Sequence, residues 1–474
     1  MTRRAILAAA LLALAGCKVG PSFAPPAAPG VSGYLMAGDQ PSAVAVLDPT
    51  ARPAGPWWKT FRSPALDSVM ERALADNDTL AAADATLERT RQQAAAVRGA
   101  ELPQADLSAS AQRERINIAA FGFKGFPNPT INLYAIGPTV SYDLDLFGGR
   151  KRATEAALAQ AQGEARRADA AYLTLTGQVT LAALQIATLR GEIATQSEVA
   201  ADDQRLIDLV QRAVAGGGQP RAALASPRAQ LAQDQAVLPP LEQQLSRARH
   251  GLALLVGQAP ASWTAPLFDL ASFHAPAAVP VSLPSSLVRR RPDILAAEAD
   301  LHAATARIGV ASAALYPDVR LSANFIQSAL SPTSLFTYGS TGWDLAAGLT
   351  QPLFHGGTLR ANKRAAVADA RASLAQYRQT VLTAFVQVAD VMEAIAHDDD
   401  ELAALAHAED AATANLNSAE LSFRLGGGAL LPVLDAQRLL SQARRSRAIA
   451  QGQRLADIAQ LYVATAADWR EAGR

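Results

Sequence analysis

The chain has 474 residues, enough for two or three domains, and its 43 lysines and arginines balance its 43 aspartates and glutamates. That balance removes any case for a basic nucleic-acid surface or an acidic solubilising tail. Alanine fills 106 positions, about 22 %, against 5 % aromatic residues, which suits long helices packed through small side chains; the single cysteine excludes an intrachain disulfide and any multi-cysteine metal site.

At the N-terminus, Arg3 and Arg4 precede an apolar run from Ala5 to Ala15, the length of a secretory h-region and too short to span a bilayer. Residues 1–16 therefore read as a signal peptide. The run ends Leu14-Ala15-Gly16-Cys17, which resembles the bacterial lipobox and implies covalent lipid on Cys17 as the mature N-terminus. Several acyl chains make a stable anchor. Lys18 stands where an aspartate would imply inner-membrane retention, so the same resemblance implies sorting to the outer membrane. Residues 17–56 read as a lipidated N-terminal tether, rich in proline, alanine and glycine from Gly20 to Pro56.

The remainder reads as a duplicated unit, 57–256 and 285–468, with a 257–284 linker between and a 469–474 tail after. At an offset of 214, Leu80, Leu87, Pro103 and Leu107-Ser108-Ala109 match Ile294, Leu301, Pro317 and Leu321-Ser322-Ala323. Leu146-Phe147-Gly148-Gly149 recurs as Leu353-Phe354-His355-Gly356-Gly357, and Gly216-Gly217-Gly218 recurs at an offset of 210 as Gly426-Gly427-Gly428. Each half thus predicts a helix, two strands, a very long helix, a glycine turn and a returning helix.

Strands are expected near 104–120, 131–147, 317–329 and 341–354, where apolar and polar residues alternate. Tyr142, Leu144 and Leu146 oppose Ser141, Asp143 and Asp145; Trp343, Leu345, Ala347 and Leu349 oppose Asp344, Ala346 and Gly348; Val319, Leu321, Ala323 and Phe325 repeat the pattern. In the first strand the alternation stops at Arg113 and Arg115, which belong near an interface or outside the bilayer, because a charge facing lipid at the midplane costs about 2–4 kcal/mol. Phe121, Phe123, Phe126, Phe336 and Tyr338 fall in the outer loops and suit an aromatic girdle. Four strands cannot close a membrane barrel alone, so oligomerisation follows; two, three or four chains give 8, 12 or 16 strands, and strand arithmetic does not choose between three and four.

From Gly149 to Gly216 and from Gly357 to Gly426 the chain predicts two helices, each about 100 Å long. A 3-4 spacing marks coiled-coil packing: Leu158, Ala161, Ala165, Ala168, Tyr172, Leu175, Val179, Ala182, Ile186, Leu189 and Ile193, then Leu374, Tyr377, Val381, Ala384, Val388, Val391 and Ile395. No stretch after the signal has 18 uninterrupted apolar residues, so a helical membrane span is not expected. Pro227 and Pro239-Pro240 should break the first returning helix; the second has no such interruption.

Reactive chemistry is sparse. His397-Asp398-Asp399-Asp400 spreads around a helix and reads as a solvated face rather than a metal cluster. No histidine pair, phosphate loop or nucleophile elbow gives a catalytic constellation, so no enzymatic activity and no cofactor beyond the Cys17 lipid are expected.

Five segments in order resemble one family, the outer-membrane efflux proteins (TolC-like and OprM-like, especially the NodT-type lipoprotein branch). These are Trp57-Trp58 with Phe61, Pro64, Leu66 and Asn77; Tyr142 to Gly148; Arg290-Arg291-Pro292-Asp293-Ile294 with Ala297-Glu298; Gln351-Pro352-Leu353-Phe354 with Gly356-Gly357; and Val433 to Arg438. The resemblance implies an α+β membrane protein: a homotrimer with a 12-stranded outer-membrane β-barrel, four strands per chain, continuous with a 12-helix periplasmic coiled-coil tube and belted by an equatorial domain. It implies a tripartite efflux system, with the turns at 212–220 and 423–432, including Gly216, Gly217, Gly218, Gly426, Gly427 and Gly428, meeting a periplasmic adaptor and, through it, an inner-membrane RND-type pump. The first tip departs from the family pattern at Ala213 and Arg221. Polar residues at the narrow end gate such channels, and spacing nominates Asn417 and Glu420; a ring of carboxylates there favours cations. Two alternatives stay open: the outer channel of a protein secretion system, and a periplasmic adaptor or structural coiled coil. Cargo identity is not legible.

Overall fold

Proline, glycine and capping side chains set the ends of most elements. The computed structural model describes residues 18–31, 33–36, 47–48, 56–117, 120, 122, 125, 127–276, 279–280 and 284–466; the expected signal peptide at 1–16, Cys17, Phe121, Phe123, Phe126 and the expected 469–474 tail lie outside them. Helix α1 (Pro64–Asp76) starts behind Ser63, whose Oγ accepts from Leu66 N at 3.4 Å. Asn77 caps α2 (Asp78–Gly99), its Oδ1 accepting from Thr79 N and Leu80 N at 2.9 and 3.1 Å. There follow β1 (Gln104–Arg115), β2 (Thr130–Leu144), α3 (Gly149–Ala215), α4 (Ala225–Ala236) and α5 (Leu238–Leu255). After a single turn at Pro284–Leu287 come α6 (Pro292–Ala313), β3 (Asp318–Ala329), β4 (Thr341–Thr350), α7 (Thr358–Arg424) and α8 (Leu430–Ala464).

Corresponding elements match in length: α2 and α6 have 22 residues each, β1 and β3 have 12, and α3 and α7 have 67. At a helical rise of 1.5 Å, 67 residues make about 100 Å. Each long helix contains an 18-residue window apolar enough, by length and composition, to cross a bilayer. Neither window is an unbroken apolar run, and 56 % of the α3 window and 22 % of the α7 window are buried within the single chain.

The chain divides into two compact units, Met1–Pro26, Thr86–Ala165 and Ala296–Arg378 in one and Ala27–Ala85, Arg166–Leu295 and Gln379–Arg474 in the other. In the first, the sheet has the order β1-β2-β3-β4 with every pairing antiparallel. Of the strand expected to residue 120, β1 is described to Arg115; Ile116 N donates to Pro129 O at 2.9 Å, and Pro127 and Pro129 in the returning chain offer no N–H to the ladder. The β2–β3 ladder skips Gly137 and Pro138, resuming at Thr139↔Asn324. Proline cannot donate there, and a Cβ on Gly137 would lie 1.9 Å from Phe325 O, so only glycine fits. At the base of this unit Gly149 lets α3 approach α6, since a Cβ there would meet Ala313 Cβ at 2.9 Å.

The second unit is built on an aromatic core. Trp57 stacks on Tyr462 with centroids 5.4 Å apart and meets Phe61 edge-on, Trp58 tilts against Tyr172, and Leu66, Met70, Phe268 and Leu252 of the same unit are buried. Glycines bring α3 and α8 into contact: a Cβ on Gly452 would meet Thr188 Oγ1 at 2.0 Å, and one on Gly177 would meet Val463 Cγ2 at 2.7 Å. The first returning helix breaks at Val237, with prolines in the opening turn of α5, whereas α8 runs unbroken for 35 residues. Of the expected stripe, Tyr377, Val381, Ala384, Val388 and Ile395 are buried. Leu158 is not; Ala156 and Ala159 carry the buried face there, because small residues admit the neighbouring helix more closely.

Candidate functional site

Cross-strand register aligns the alternating residues into two chemically distinct sheet faces. Val140, Ala323 and Leu345 lie side by side, as do Tyr142, Leu321 and Ala347, then Leu144, Val319 and Leu349, with Phe325 beside Trp343. This apolar face is open: Leu107, Trp343, Leu345 and Leu349 are exposed in the single chain. A soluble sheet would cover such a patch, whereas lipid suits it. The opposite face is polar. Asn324 donates to Asp344 at 3.0 Å, and Asp143 accepts from Arg150 and lies 3.5 Å from Arg320 Nε. Arg113 and Arg115 pair with Asn132 and Thr130, at the loop end of the ladder. Phe336 and Tyr338 stand exposed in the β3–β4 connection.

Immediately after Cys17 the chain is held by α3 and α6 side chains, a feature that the reading of 17–56 as a tether missed. Lys18 Nζ pairs with Glu155 Oε2 at 2.6 Å, and Val19 N donates to Phe147 O at 3.2 Å. Arg152, 2 % exposed, donates to Val19 O, Gly20 O and Glu155, and Phe23 stacks on His302 at 4.4 Å. Gly20, at φ +90°, fits where a Cβ would lie 2.6 Å from Gly309 Cα. Burial pushes the Glu155 carboxyl up, but hydrogen bonds from Lys18, His302 and Arg152 and the Arg152 charge outweigh it and hold it at about 2. Sequence reasoning missed this cluster; the i, i+3 spacing of Arg152 and Glu155 could have marked that pair, whereas no local signal marks Lys18 or His302.

Both glycine turns close the long helices in the same way. Gly218 N donates to Ala213 O at 2.9 Å and Gly217 N to Val214 O at 3.1 Å; Gly427 N donates to Ser422 O and Gly426 N to Phe423 O, both at 3.1 Å. These are Schellman closures with the left-handed residue at Gly217 (φ +75°) and Gly426 (φ +78°). The triplets therefore do not superpose at the offset of 210: Gly217 corresponds to Gly426, and the helix ends Ala215 and Arg424 keep the same spacing. Geometry needs one left-handed glycine per turn, and it is not the same member of each triplet. Gly216 and Gly218, like Gly427 and Gly428, lie outside the left-handed region.

Leu206, Val210, Phe423 and Val433 form one buried cluster behind the two turns, with Leu209, Leu416, Ala419 and Leu430 packed on it. The tips present Leu425 and Leu431, 78 % and 64 % exposed. Asn417 is exposed and Glu420 half-buried, one turn apart and offset from the Leu416, Ala419 and Phe423 positions that pack inward. Glu420 pairs with Arg424 Nη2 at 3.2 Å, so part of its charge is answered on its own helix. Elsewhere, Asp399 of the acidic run pairs with Arg454 at 2.5 Å and Asp398 turns inward. Arg291 is 8 % exposed and grips Asp293 in a fork at 2.9 and 2.7 Å, donating also to Gln387 Oε1 and Ala464 O.

With an open apolar sheet face, two 100 Å helices and paired glycine tips in one chain, the comparisons with known proteins converge. The profile described as "Outer membrane efflux protein" matches residues 69–258 and 283–467, and the chain belongs to that family. The pyoverdine export outer membrane protein OpmQ of Pseudomonas putida is 32 % identical over 433 residues, 89 % of each chain. Outer membrane protein OprJ of Pseudomonas aeruginosa is 31 % identical over 440 residues, 90 % of this chain and 88 % of OprJ. The solved outer-membrane channel OprN aligns with a TM-score of 0.87 at 27 % identity, covering 96 % of this chain and 100 % of that one. The protein is an outer-membrane efflux channel with a TolC-like, mostly helical fold and a small sheet.

Proposed function

We propose that this chain is the passive outer conduit of a tripartite efflux pump. Three copies join their four-stranded sheets into a 12-stranded barrel and their long helices into a tube, the mature N-terminus carries lipid on Cys17, and each chain comprises repeats 57–256 and 285–468 around an equatorial 257–284 segment. The observation that carries this reading is the sheet itself: β1 and β4 have no outer neighbour among the described residues, while one face is apolar and open. In lipid such edges need partners, and copies of the same chain supply them.

A periplasmic adaptor docks at the tips around Gly216–Gly218 and Gly426–Gly428, with the exposed Leu425 and Leu431 as apolar contacts, and couples the conduit to an inner-membrane RND-type pump that supplies the energy. Asn417 and Glu420 line the closed end, which loosens when the adaptor engages. The Glu420–Arg424 pair weakens any cation preference there, fitting a conduit for small molecules of mixed charge. The aromatic loops and open sheet face argue against a periplasmic coiled-coil protein, and the small-molecule export named for OpmQ argues against a protein-secretion channel.

Single-channel conductance of the mature protein in a planar bilayer tests the reading. Small currents are expected, rising several-fold in Asn417→Ala and Glu420→Ala. Unchanged small currents would sink the gate and keep the conduit; no current from inserted protein would sink the conduit.

A further inference from the structure

Each helical hairpin of the second unit sets a buried aspartate of the long helix against an aspartate of the returning helix. In the first hairpin Asp203 of α3 is 2 % exposed and faces the half-buried Asp234 of α4. Asp234 already accepts from Gln196 Nε2 at 3.3 Å and from Gln230 Nε2 at 2.6 Å. In the second, Asp398 of α7 is 8 % exposed and faces Asp457 of α8, which accepts from Gln453 Nε2 and Gln460 Nε2, both at 3.0 Å. Asp203 Oδ2 and Asp398 Oδ2 are both buried without a hydrogen-bond partner.

Two ionised carboxylates in contact, one with an oxygen that no donor reaches, are costly away from water. One proton between them removes the cost and creates a charge-assisted O–H···O⁻ bond. The glutamines decide where it resides. Their N–H groups occupy acceptor oxygens of Asp234 and Asp457, so the shared proton belongs on Asp203 and Asp398, whose Oδ2 atoms no donor reaches. Neighbouring cations are engaged elsewhere: Arg205 pairs with Asp202, Arg444 of α8 lies 3.9 Å from the same Asp202, and Arg454 of α8 pairs with Asp399, although its charge also favours the ionised form of Asp398. Glu401, on the same helix as Asp398, adds negative charge.

We propose that Asp203–Asp234 and Asp398–Asp457 are proton-held clasps, each fastening the two helices of one hairpin while it carries a single shared proton and loosening when that proton leaves. Burial, together with the facing carboxylate, pushes Asp203 up to about 7 and raises Asp398 in the same direction. Because the closed hairpin binds the proton more tightly than an opened one does, acid tightens the clasp, and its hold fades as pH rises toward 7. This concerns helix pairing within one chain and is independent of cargo or pump.

Hydrogen–deuterium exchange of the full-length protein in detergent, corrected for intrinsic rates and followed on peptides from α4 and α8, reads the clasp directly. Opening is expected to rise by up to about tenfold per pH unit between about pH 5 and 7 and to level off above. Asp203→Asn and Asp398→Asn, whose amides donate at every pH, should flatten the profile of their own hairpin only. A flat wild-type profile, or unchanged slopes in both variants, overturns the proposal. Infrared spectra of the wild-type protein give a second reading that needs no variant. A protonated-carboxyl band present near pH 6 and gone by about pH 9 supports the clasps, and its absence near pH 6 overturns them.

Discussion

Glu155 gathers Lys18, Arg152 and His302 around one carboxylate, and its depressed pKa makes the contact acid-sensitive. The sign follows from linkage: a carboxyl held at about 2 when folded stabilises the fold fully above its unfolded value and loses that contribution as pH falls toward 2. Glu155→Gln is therefore expected to cost about 1–3 kcal/mol at neutral pH and to shrink the loss of stability between roughly pH 5 and 2. Thermal unfolding across that range checks it; an acid slope identical to wild type would remove Glu155 from the account. None of this cluster is singled out by sequence: an i, i+3 spacing is a signal for Arg152 and Glu155 on one helix, and no local spacing points to Lys18 or His302.

At the scale of elements, the β2–β3 pairing depends on a residue without a side chain. A Cβ on Gly137 would press on the Phe325 carbonyl at 1.9 Å, and backbone on both sides leaves no flexible neighbour to yield. Gly137→Val is expected to cost about 1–3 kcal/mol or more and to lower the temperature at which the folded band disappears on a semi-native gel. An unchanged transition would mean that the strands part there without penalty. The alternation of apolar residues made four strands legible, yet it could not reveal the Gly137–Pro138 gap in the ladder. A skip depends on which strand lies alongside, and periodicity carries no partner. The same holds for the tips: three adjacent glycines announce a turn, while the hydrogen bonds from Gly217 and Gly426 select the one that turns left-handed.

For the whole molecule, the edges of β1 and β4, which have no outer neighbour among the described residues, and the exposed Leu382 and Val386 of α7 leave more apolar and hydrogen-bonding surface than one chain satisfies. Native mass spectrometry of the mature protein in detergent is expected to give three copies; two or four would replace the proposed 12-stranded barrel with one of 8 or 16 strands.

Much of this architecture is written in patterns of short range. Period-2 alternation, heptad spacing, proline and glycine punctuation and the lipobox-like start each depend on residues close together in the chain, so the elements, their order and their outer-membrane family were legible from sequence. Fold-dependent features were decided by contacts between residues far apart. The seating of Lys18 on Glu155, the fork of Arg291 across to Gln387 and Ala464, and the burial of Asp203 against Asp234 and of Asp398 against Asp457 arise only when helices pack. An isolated aspartate reads as a solvated charge; whether it keeps its charge depends on the water that packing removes and the groups that packing brings opposite it.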